Sequence, residues 1–277
     1  GSFRIMKKKF GQHFLTDEVI INKIIESASI NFDDILIEIG PGNGALTNKL
    51  FSLVKKLILI EYDEKYYNII KNHYVNTFVE IYHDDARNFD FSKTTNDKKS
   101  YSVIGNLPYY ASNPIIRNIL RSKNKPKKMT FMIQKEVAEQ ICAREGNFTF
   151  LSAYINLFSK AKKLFDVKPD SFNPPPKVVS SVIEIVPLEQ NIMANIEIDN
   201  FIEFLTFGFK SPRKQIHNSL SDGLFLQLDY SKKIIEKAEI ETTRRPSTLT
   251  MFEWEKLYES WINLDSPKNT PGSIRRK

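Results

Sequence analysis

Cysteine is nearly absent from this chain of 277 residues, which has only Cys142. One cysteine excludes an intramolecular disulfide and any metal site built from several thiolates. The surrounding sequence, KEVAEQICARE, indicates a small apolar residue on a helix face. Long apolar runs are missing as well: none approaches the roughly 18 residues that a membrane helix needs, and no stretch has the pattern of a signal peptide. These absences predict a soluble, cytoplasmic protein without a membrane segment or a metal centre.

The composition allows a substantial core and favours an acidic partner. Hydrophobic residues make up 41% of the 277 positions, which is enough for one large domain and a small one. The 40 Lys and Arg residues exceed the 33 Asp and Glu residues, for a net charge of +7. Such an excess favours a polyanion such as nucleic acid, but it is too modest to establish one.

Apolar strands alternate with helical stretches over the earlier part of the chain. This alternation predicts an α/β fold with a mostly parallel sheet that is covered on both faces. Two later strands, at 163–168 and 178–186, flank a proline-rich segment and most simply form a hairpin-like edge. Thr16 is the expected N-cap of the first helix. The expected strands are 34–39, 57–61, 78–82, 101–105 and 129–133, and the expected helices are 17–28, 44–54, 64–74, 112–122, 135–144 and 149–160.

After about residue 190 the pattern changes to amphipathic helices, with no convincing strand among them. We therefore expect an α/β domain over 1–190 and a small helical domain over 191–263. The remaining segment, 264–277, carries turn formers and charge without apolar periodicity, which predicts a disordered tail.

A glycine-rich run, EIGPGNGALT at 38–47, follows one apolar strand and precedes a helix. Gly40, Gly42 and Gly44 allow a tight turn there and let a ligand approach the backbone at the positive end of the next helix. Glu61 ends the following strand, where its carboxylate can accept both hydroxyls of a ribose. The run also fits a loose dinucleotide fingerprint, so by itself it does not separate a nicotinamide cofactor from S-adenosylmethionine.

Further acids follow at other strand ends. Asp85, with Ala86 beside it, suits recognition of an adenine amino group because a carboxylate accepts its hydrogens; a turn or helix-capping role is the alternative. Asp84 is expected to be a surface residue. Glu38 either touches the cofactor or holds the glycine loop, and the sequence favours neither. Open α/β sheets bind ligands at the C-terminal ends of their strands, which is where Glu61 and Asp85 fall.

The run Asn106-Leu107-Pro108-Tyr109 closes the fourth strand and has the groups that an amine-methylating site needs. An adenine amine is a poor nucleophile because its lone pair is delocalised into the ring. The Asn106 side-chain oxygen and the Leu107 carbonyl can accept its two hydrogens and free that lone pair, with Pro108 fixing the turn. Tyr109 offers a face on which a flipped base stacks. Alignment with a sulfonium methyl then supplies most of the acceleration, so no strong general base is required.

In this order, these motifs resemble the Rossmann-like, S-adenosylmethionine-dependent adenine-N6 methyltransferases that act on rRNA, and in particular the small-subunit (16S) rRNA adenine dimethyltransferase family, KsgA. The resemblance covers nearly all of 7–260 and includes the run KKKFGQHFL at 7–15. It implies a Rossmann-like methyltransferase sheet with a small C-terminal α-helical domain. The implied reaction is dimethylation of two adjacent adenosines in the 3′-terminal hairpin loop of small-subunit rRNA, during ribosome biogenesis, by a monomer that uses S-adenosylmethionine.

The resemblance also implies roles for individual residues. Phe172, in the segment SFNPPPK, corresponds to the family segment that closes over the target base, so it could stack opposite Tyr109; a core phenylalanine pinned by the prolines is the alternative. The implied cofactor contacts are His13 and Leu15 at the entrance, Gly40 at the methionine portion, Glu61 at the ribose and Asp85 at the adenine, with Gly42, Ala86 and Asn106 as further contacts.

Basic residues outside the pocket are candidates for contacts with the rRNA backbone. The alternative for each is a merely solvated charge. The implied partner is small-subunit rRNA within an immature small ribosomal subunit, with no membrane and no metal involved. The candidates are Lys7, Lys8 and Lys9 near the cofactor entrance and Arg213, Lys214, Arg244 and Arg245 in the helical domain.

Three other functions compete with this interpretation. An Erm-type methyltransferase would modify a large-subunit adenosine, but Leu107 and the run PPPKV favour the small-subunit enzyme. A nicotinamide-dependent dehydrogenase fits only the glycine loop. A non-catalytic ribosome-assembly factor on the same fold predicts a degraded cofactor site, whereas Gly40, Glu61, Asp85 and Asn106 are all present. We therefore expect an active methyltransferase.

Overall fold

The computed structural model describes residues 12–93, 100–193 and 196–264. Lys7, Lys8 and Lys9 lie outside the described residues, as does the predicted tail from residue 265 onward.

Contacts between residues divide the chain into two units. The first, which we call the α/β unit, comprises 1–139 and 159–189, and the second, the helical unit, comprises 140–158 and 190–277. The segment 140–158 therefore belongs to the helical unit although it precedes the last strands of the sheet.

The strands are β1 (Phe14–Leu15), β2 (Ile35–Ile39), β3 (Lys56–Glu61), β4 (Glu80–His83), β5 (Tyr101–Asn106), β6 (Lys128–Gln134), β7 (Ser159–Val167), β8 (Phe172–Asn173) and β9 (Ser180–Pro187). Within the described residues, seven of them form one sheet in the order β4-β3-β2-β5-β6-β9-β7, and β1 pairs with β8. The first five strands of that order are parallel, and β9 runs antiparallel to both β6 and β7. The mostly parallel α/β sheet is confirmed. The two predicted late strands correspond to β7 and β9, which pair with each other. β9 also pairs with β6 and so joins both to the rest of the sheet.

The helices are α1 (Glu18–Ser27), α2 (Thr47–Leu50), α3 (Glu64–His73), α4 (Tyr109–Leu120), α5 (Lys135–Ile141), α6 (Phe150–Phe158), α7 (Ile198–Gly208), α8 (Ile216–Leu224), α9 (Leu228–Lys237) and α10 (Met251–Leu264). The first four lie in the α/β unit, α5 ends in the helical unit, and the rest belong to the helical unit. None of the helices in the described parts of the chain is long and apolar enough to cross a membrane.

Three local predictions are wrong. The N-cap of α1 is Asp17 rather than Thr16, because the helix begins at Glu18 and the Asp17 carboxylate accepts the N–H groups of its first turn. The helix predicted over 44–54 is only α2, since Gly44 has φ +87° and makes a turn instead of a helical residue. Cys142 is half-buried just after the end of α5, not on a helix face.

The central strands are apolar along their length because both faces of the sheet are covered. Every residue of β2 is buried, including Glu38. The chain passes from β2 to β3 on one side and later returns to β5 on the other side of β2. Such a reversal of strand order leaves a crevice outside the carboxyl ends of the strands, where ligands bind in open α/β sheets.

The helical unit has an aromatic core. Phe204 stacks on Trp261 with ring centroids 5.1 Å apart, and Phe209 stacks on Trp254 at 4.9 Å. Gly208 allows this packing, because a Cβ there would lie 2.5 Å from the Trp254 ring. Large rings bury much apolar surface per residue, which lets a small unit form a core.

Candidate active site

A cavity of about 520 Å³ opens at the carboxyl ends of β2, β3 and β5. All of its lining residues belong to the α/β unit. Its walls are the glycine loop after β2, residues 60–63, residues 84–87 and residues 106–111, together with β1. The volume is within the range of pockets that hold a small-molecule ligand.

The glycine loop forms a cradle without side chains. Gly40 and Gly42 have φ +69° and +56°, in the left-handed region that favours glycine. A Cβ at Gly42 would lie 3.2 Å from the Phe14 ring, and one at Gly40 would lie 3.4 Å from the Asn106 carbonyl oxygen. The Gly42 N–H donates to Glu61 Oε1 at 2.9 Å, which fixes the loop on the end of β3.

Glu61 is buried at the end of β3, with only 7% of its surface exposed. Its second oxygen, Oε2, accepts the Asp63 N–H at 3.0 Å. Burial raises the pKa of Glu61, and the N–H groups of Asp63 and Gly42 oppose that rise by stabilising the carboxylate. A carboxylate oxygen accepts more than one donor, so a carboxylate at this position suits the two hydroxyls of a ribose.

Glu38 holds the segment after the glycine loop, and its contact with the cofactor stays a prediction. It is 1% exposed within β2 and also lines the cavity. The Thr47 hydroxyl donates to Glu38 Oε1, and Thr47 is the first residue of α2, so Glu38 anchors the helix that follows the glycine loop. Burial raises the pKa of Glu38 to about 8.

Asp85 follows β4 and is held by Arg87. The Arg87 backbone N–H and Nε each lie 3.0 Å from Asp85 Oδ1, and Nη2 lies 2.7 Å from Oδ2. These bonds hold the pKa of Asp85 below its usual range. Ala86 is buried, and its carbonyl accepts from the Asn118 side chain at 2.9 Å. Asp84 is exposed, as expected, but it also lines the cavity.

The turn after β5 presents two acceptors at the cavity. Asn106 ends the strand half-buried, and within the described residues its side-chain amide has no hydrogen-bond partner. The Leu107 N–H donates to the Met132 carbonyl oxygen at 3.0 Å, which fixes the turn on β6. No backbone N–H of the described chain donates to the Leu107 carbonyl. Pro108, at φ −64°, is the N-cap of α4.

Two aromatic residues border this turn in different ways. Tyr109 is 42% exposed and forms an edge-to-face pair with Tyr110, with centroids 5.8 Å apart. Phe172 is 5% exposed and belongs to the core cluster that contains Leu15, although it also lines the cavity.

The short ribbon of β1 and β8 brings the N-terminal segment to the cavity. Leu15 pairs with Phe172, and His13 Nδ1 donates to the Pro174 carbonyl at 2.6 Å. Sequence reasoning missed Gln12 and Tyr66: the Tyr66 hydroxyl donates to Gln12 Oε1 at 2.9 Å. Gln12 lies in the run KKKFGQHFL that carried part of the resemblance, which was a usable signal. No sequence pattern marked Tyr66.

Three of the four basic candidates of the helical unit, Lys214, Arg244 and Arg245, form hydrogen bonds or ion pairs with other protein groups. Arg244 forms a bidentate ion pair with Glu253, and Arg245 donates to the Arg213 carbonyl. Lys214 Nζ lies 2.9 Å from Asp222 Oδ2. In the described chain no group of His, Cys, Asp or Glu side chains is arranged to hold a metal ion.

The glycine loop, the Glu61 carboxylate and the Asn106–Tyr109 turn thus share one cavity at the carboxyl ends of a mostly parallel sheet, an arrangement that defines a Rossmann-like, S-adenosylmethionine-dependent methyltransferase. The family model described as ribosomal RNA adenine dimethylase matches residues 4–256. The chain therefore belongs to the ribosomal RNA adenine dimethylase family. It is an rRNA adenine-N6 dimethyltransferase whose cofactor is S-adenosylmethionine.

Individual curated proteins and solved structures are similar to this chain over most of its length. A ribosomal RNA small subunit methyltransferase A of Prochlorococcus marinus (strain MIT 9215) is 35% identical over 269 residues, covering 93% of this chain and 96% of that protein. The protein of the same name from Clostridium acetobutylicum is 37% identical over 254 residues, covering 90% and 91%. A dimethyladenosine transferase structure from Plasmodium falciparum has a TM-score of 0.73 at 29% identity, covering 88% and 96%. The structure of the 23S rRNA methyltransferase ErmE has a TM-score of 0.68 at 18% identity, covering 89% and 98%, and shares the fold.

Proposed function

We propose that this enzyme dimethylates the N6 amines of two adjacent adenosines in the 3′-terminal hairpin loop of small-subunit rRNA. The observation that carries the proposal is the turn after β5, where Asn106 and Leu107 present two acceptors at the cavity that contains the glycine cradle. The names of the Prochlorococcus and Clostridium relatives support the small subunit as the substrate.

The glycine loop and the two strand-end acids form the cofactor site in this proposal. When bound, S-adenosylmethionine supplies a methyl group activated by its sulfonium. Gly40 and Gly42 admit the methionine portion because no side chain fills the cradle. Glu61 accepts from the ribose, and Asp85, beside Ala86, accepts from the adenine amine. His13 and Leu15 border the entrance from the N-terminal side.

The turn itself holds the target amine. The Asn106 side-chain oxygen accepts one hydrogen and the Leu107 carbonyl accepts the other, which frees the nitrogen lone pair for attack on the methyl group. Pro108 fixes this geometry, and Tyr109 offers its exposed ring to the base. Phe172 is proposed to stack on the other face of the base, from the part of its ring that lines the cavity. Alkylation makes the nitrogen acidic, so its proton leaves without a dedicated base.

The proposed partner is an immature small ribosomal subunit, to which the enzyme binds as a monomer. The net charge of +7 supports contact with the rRNA backbone. We assign that contact to the helical unit through Arg213, Lys214 and Arg245, and to Lys7, Lys8 and Lys9 near the N-terminus. Arg244 is a weaker candidate because its ion pair with Glu253 is less exposed than the ion pair between Lys214 and Asp222.

Nucleoside mass spectrometry tests the substrate. Unmethylated small subunits and protein-free large-subunit rRNA are incubated separately with enzyme and S-adenosylmethionine. We expect N6,N6-dimethyladenosine in the small-subunit sample alone. Product only in the large-subunit sample would show the Erm-type function, and no product in either would favour a non-catalytic assembly factor.

The role of Asn106 is tested by Asn106→Ala, with Asn72→Ala on the exposed face of α3 as the matched control. We expect Asn106→Ala to lower kcat about 100-fold or more while the affinity for S-adenosylhomocysteine stays within about threefold. The control should retain both values. Undiminished turnover in Asn106→Ala would refute the assigned role.

A further inference from the structure

The Arg87 side chain folds back onto the carboxylate of Asp85, two residues earlier, and donates hydrogen bonds to both of its oxygens. Oδ1 of Asp85 accepts from the Arg87 backbone N–H and from Nε, each at 3.0 Å. Oδ2 accepts from Nε at 3.0 Å and from Nη2 at 2.7 Å. Nε carries a single hydrogen, which the two oxygens share, so three N–H groups of Arg87 make these four contacts. An ionised carboxylate has about four lone-pair positions, so Arg87 uses most of the acceptor capacity of Asp85. Both oxygens of Asp85 are thus already bonded to Arg87 before any ligand binds.

The guanidinium also lies where the purine of the cofactor is expected. Its Cζ is 5.9 Å from the centroid of the Tyr62 ring, and Tyr62 directly follows the ribose acceptor Glu61. Tyr62, Asp85 and Arg87 all line the same cavity. A guanidinium and an adenine amine are both planar groups that present N–H donors, so they suit the same acceptor.

We propose that Arg87 competes with the adenine amine for Asp85 and thereby sets both the affinity and the purine selectivity of the cofactor site. This inference rests on the adenine-binding role of Asp85 in the proposed function. The amine binds by displacing one N–H of Arg87, so part of its hydrogen-bond energy is offset by the lost ion-pair contact. Arg87 can also donate to a 6-oxo group, so it reduces the preference of the cofactor site for a 6-aminopurine over a 6-oxopurine.

Calorimetry with two ligands tests the competition. S-adenosylhomocysteine carries the 6-amino group, and S-inosylhomocysteine, its deamination product, carries a 6-oxo group instead. In Arg87→Met, which keeps an unbranched apolar chain without the donors, we expect S-adenosylhomocysteine to bind about three- to fivefold tighter. That range corresponds to the loss of one partly exposed ion pair. S-inosylhomocysteine should bind no tighter, because it loses a donor.

Two other variants serve as controls. Lys56→Met removes the same charge and a similar exposed ion pair, with Glu80, at the opposite end of the sheet, and should leave both affinities unchanged. Arg87→Lys keeps the charge with a single point donor and should give intermediate values. Thermal unfolding of each variant shows whether it is folded.

Two results would overturn the inference. Unchanged or weaker binding of S-adenosylhomocysteine to folded Arg87→Met would show that Arg87 does not compete. An equal gain in affinity for both ligands would show that the substitution only enlarges the cavity.

Asp85→Ala in the Arg87→Met background separates this inference from the proposed function. Weaker S-adenosylhomocysteine binding in that double variant would support Asp85 as the adenine acceptor even if Arg87 proved not to compete. No change there would refute the adenine role itself, and the competition with it.

Discussion

Gly105→Ala is expected to slow catalysis, because it adds a methyl group where two central strands are in close contact. Gly105 in β5 pairs with Ile39 in β2. A Cβ on Gly105 would lie 2.5 Å from the Ile39 carbonyl oxygen and 3.3 Å from its carbon, whereas ordinary contacts begin at 3.4 Å. The two strands would therefore have to separate by about 0.9 Å, the difference between 3.4 and 2.5 Å.

This separation acts directly on the active site. Gly40, which begins the cofactor loop, follows Ile39, and Asn106 follows Gly105. Moving the strands apart therefore moves Asn106, the proposed acceptor of the target amine, away from the glycine loop. A misplacement of about 1 Å can cost on the order of 100-fold in rate, and overpacking of this kind costs about 1–3 kcal/mol of unfolding free energy.

The assay combines methyl incorporation into unmethylated small subunits at saturating S-adenosylmethionine with urea unfolding. Ser102→Ala, three residues earlier on the same buried strand, is the control and should keep the wild-type rate and urea midpoint. Gly105→Ala with wild-type turnover and an unchanged midpoint would refute the reasoning, because the strands would then accommodate the methyl group without moving.

Three further predictions concern the buried acid, the N-terminal segment and the helical unit. Burial raises the pKa of Glu38 from 4.5 to about 8, so the folded state binds this proton more tightly than the unfolded state. In urea titrations, the unfolding free energy of the wild type relative to Glu38→Gln should therefore fall as pH rises from 4.5 to about 8, by at most ~1.4 kcal/mol per pH unit. Tyr66→Phe removes the bond to Gln12 and should weaken S-adenosylhomocysteine binding about two- to fivefold by calorimetry. Arg244→Met should lower the unfolding free energy by about 1–2 kcal/mol near neutral pH. Because Arg244 holds the pKa of Glu253 below 4.5, that difference should disappear as pH falls below 4.5 and through the folded-state value.

Each of these expectations has a contrary outcome. Parallel pH profiles for wild type and Glu38→Gln would contradict a buried carboxyl that is neutral near pH 7. Unchanged ligand affinity in Tyr66→Phe would show that the N-terminal segment is held by other contacts. Loss of rRNA affinity in Arg244→Met without loss of stability would identify Arg244 as an rRNA contact.

The strands could be predicted because a strand buried on both faces is a continuous apolar run, as in β2 and β3. The strand-end positions of Glu61, Asp85 and Asn106 followed from that reading, since the carboxyl ends of parallel strands meet at one edge. Helix bounds were less predictable: Asp17 and Thr16 are both good capping residues, and only the observed start at Glu18 distinguishes them.

Partners of individual side chains were not predictable. Arg244 read as a candidate rRNA contact, yet Glu253, nine residues later, pairs with it. Tyr66 showed no signal, although its hydroxyl holds Gln12, 54 positions away in the sequence. Such contacts depend on which groups meet in space, and no periodicity records that.

The sequence by itself determined the alternation of strands and helices and the chemistry at the strand ends, because both depend on residues that are neighbours along the chain. Only the tertiary structure decided that 140–158 belongs to the helical unit, through bonds such as the one from the Phe148 N–H to the Ser247 carbonyl at 2.9 Å. It also decided that β9 enters the sheet beside β6 and that Arg87 occupies the acceptors of Asp85. The physical reason is that burial and competition between partners set the free energy of each contact, and both arise only once distant segments are packed together.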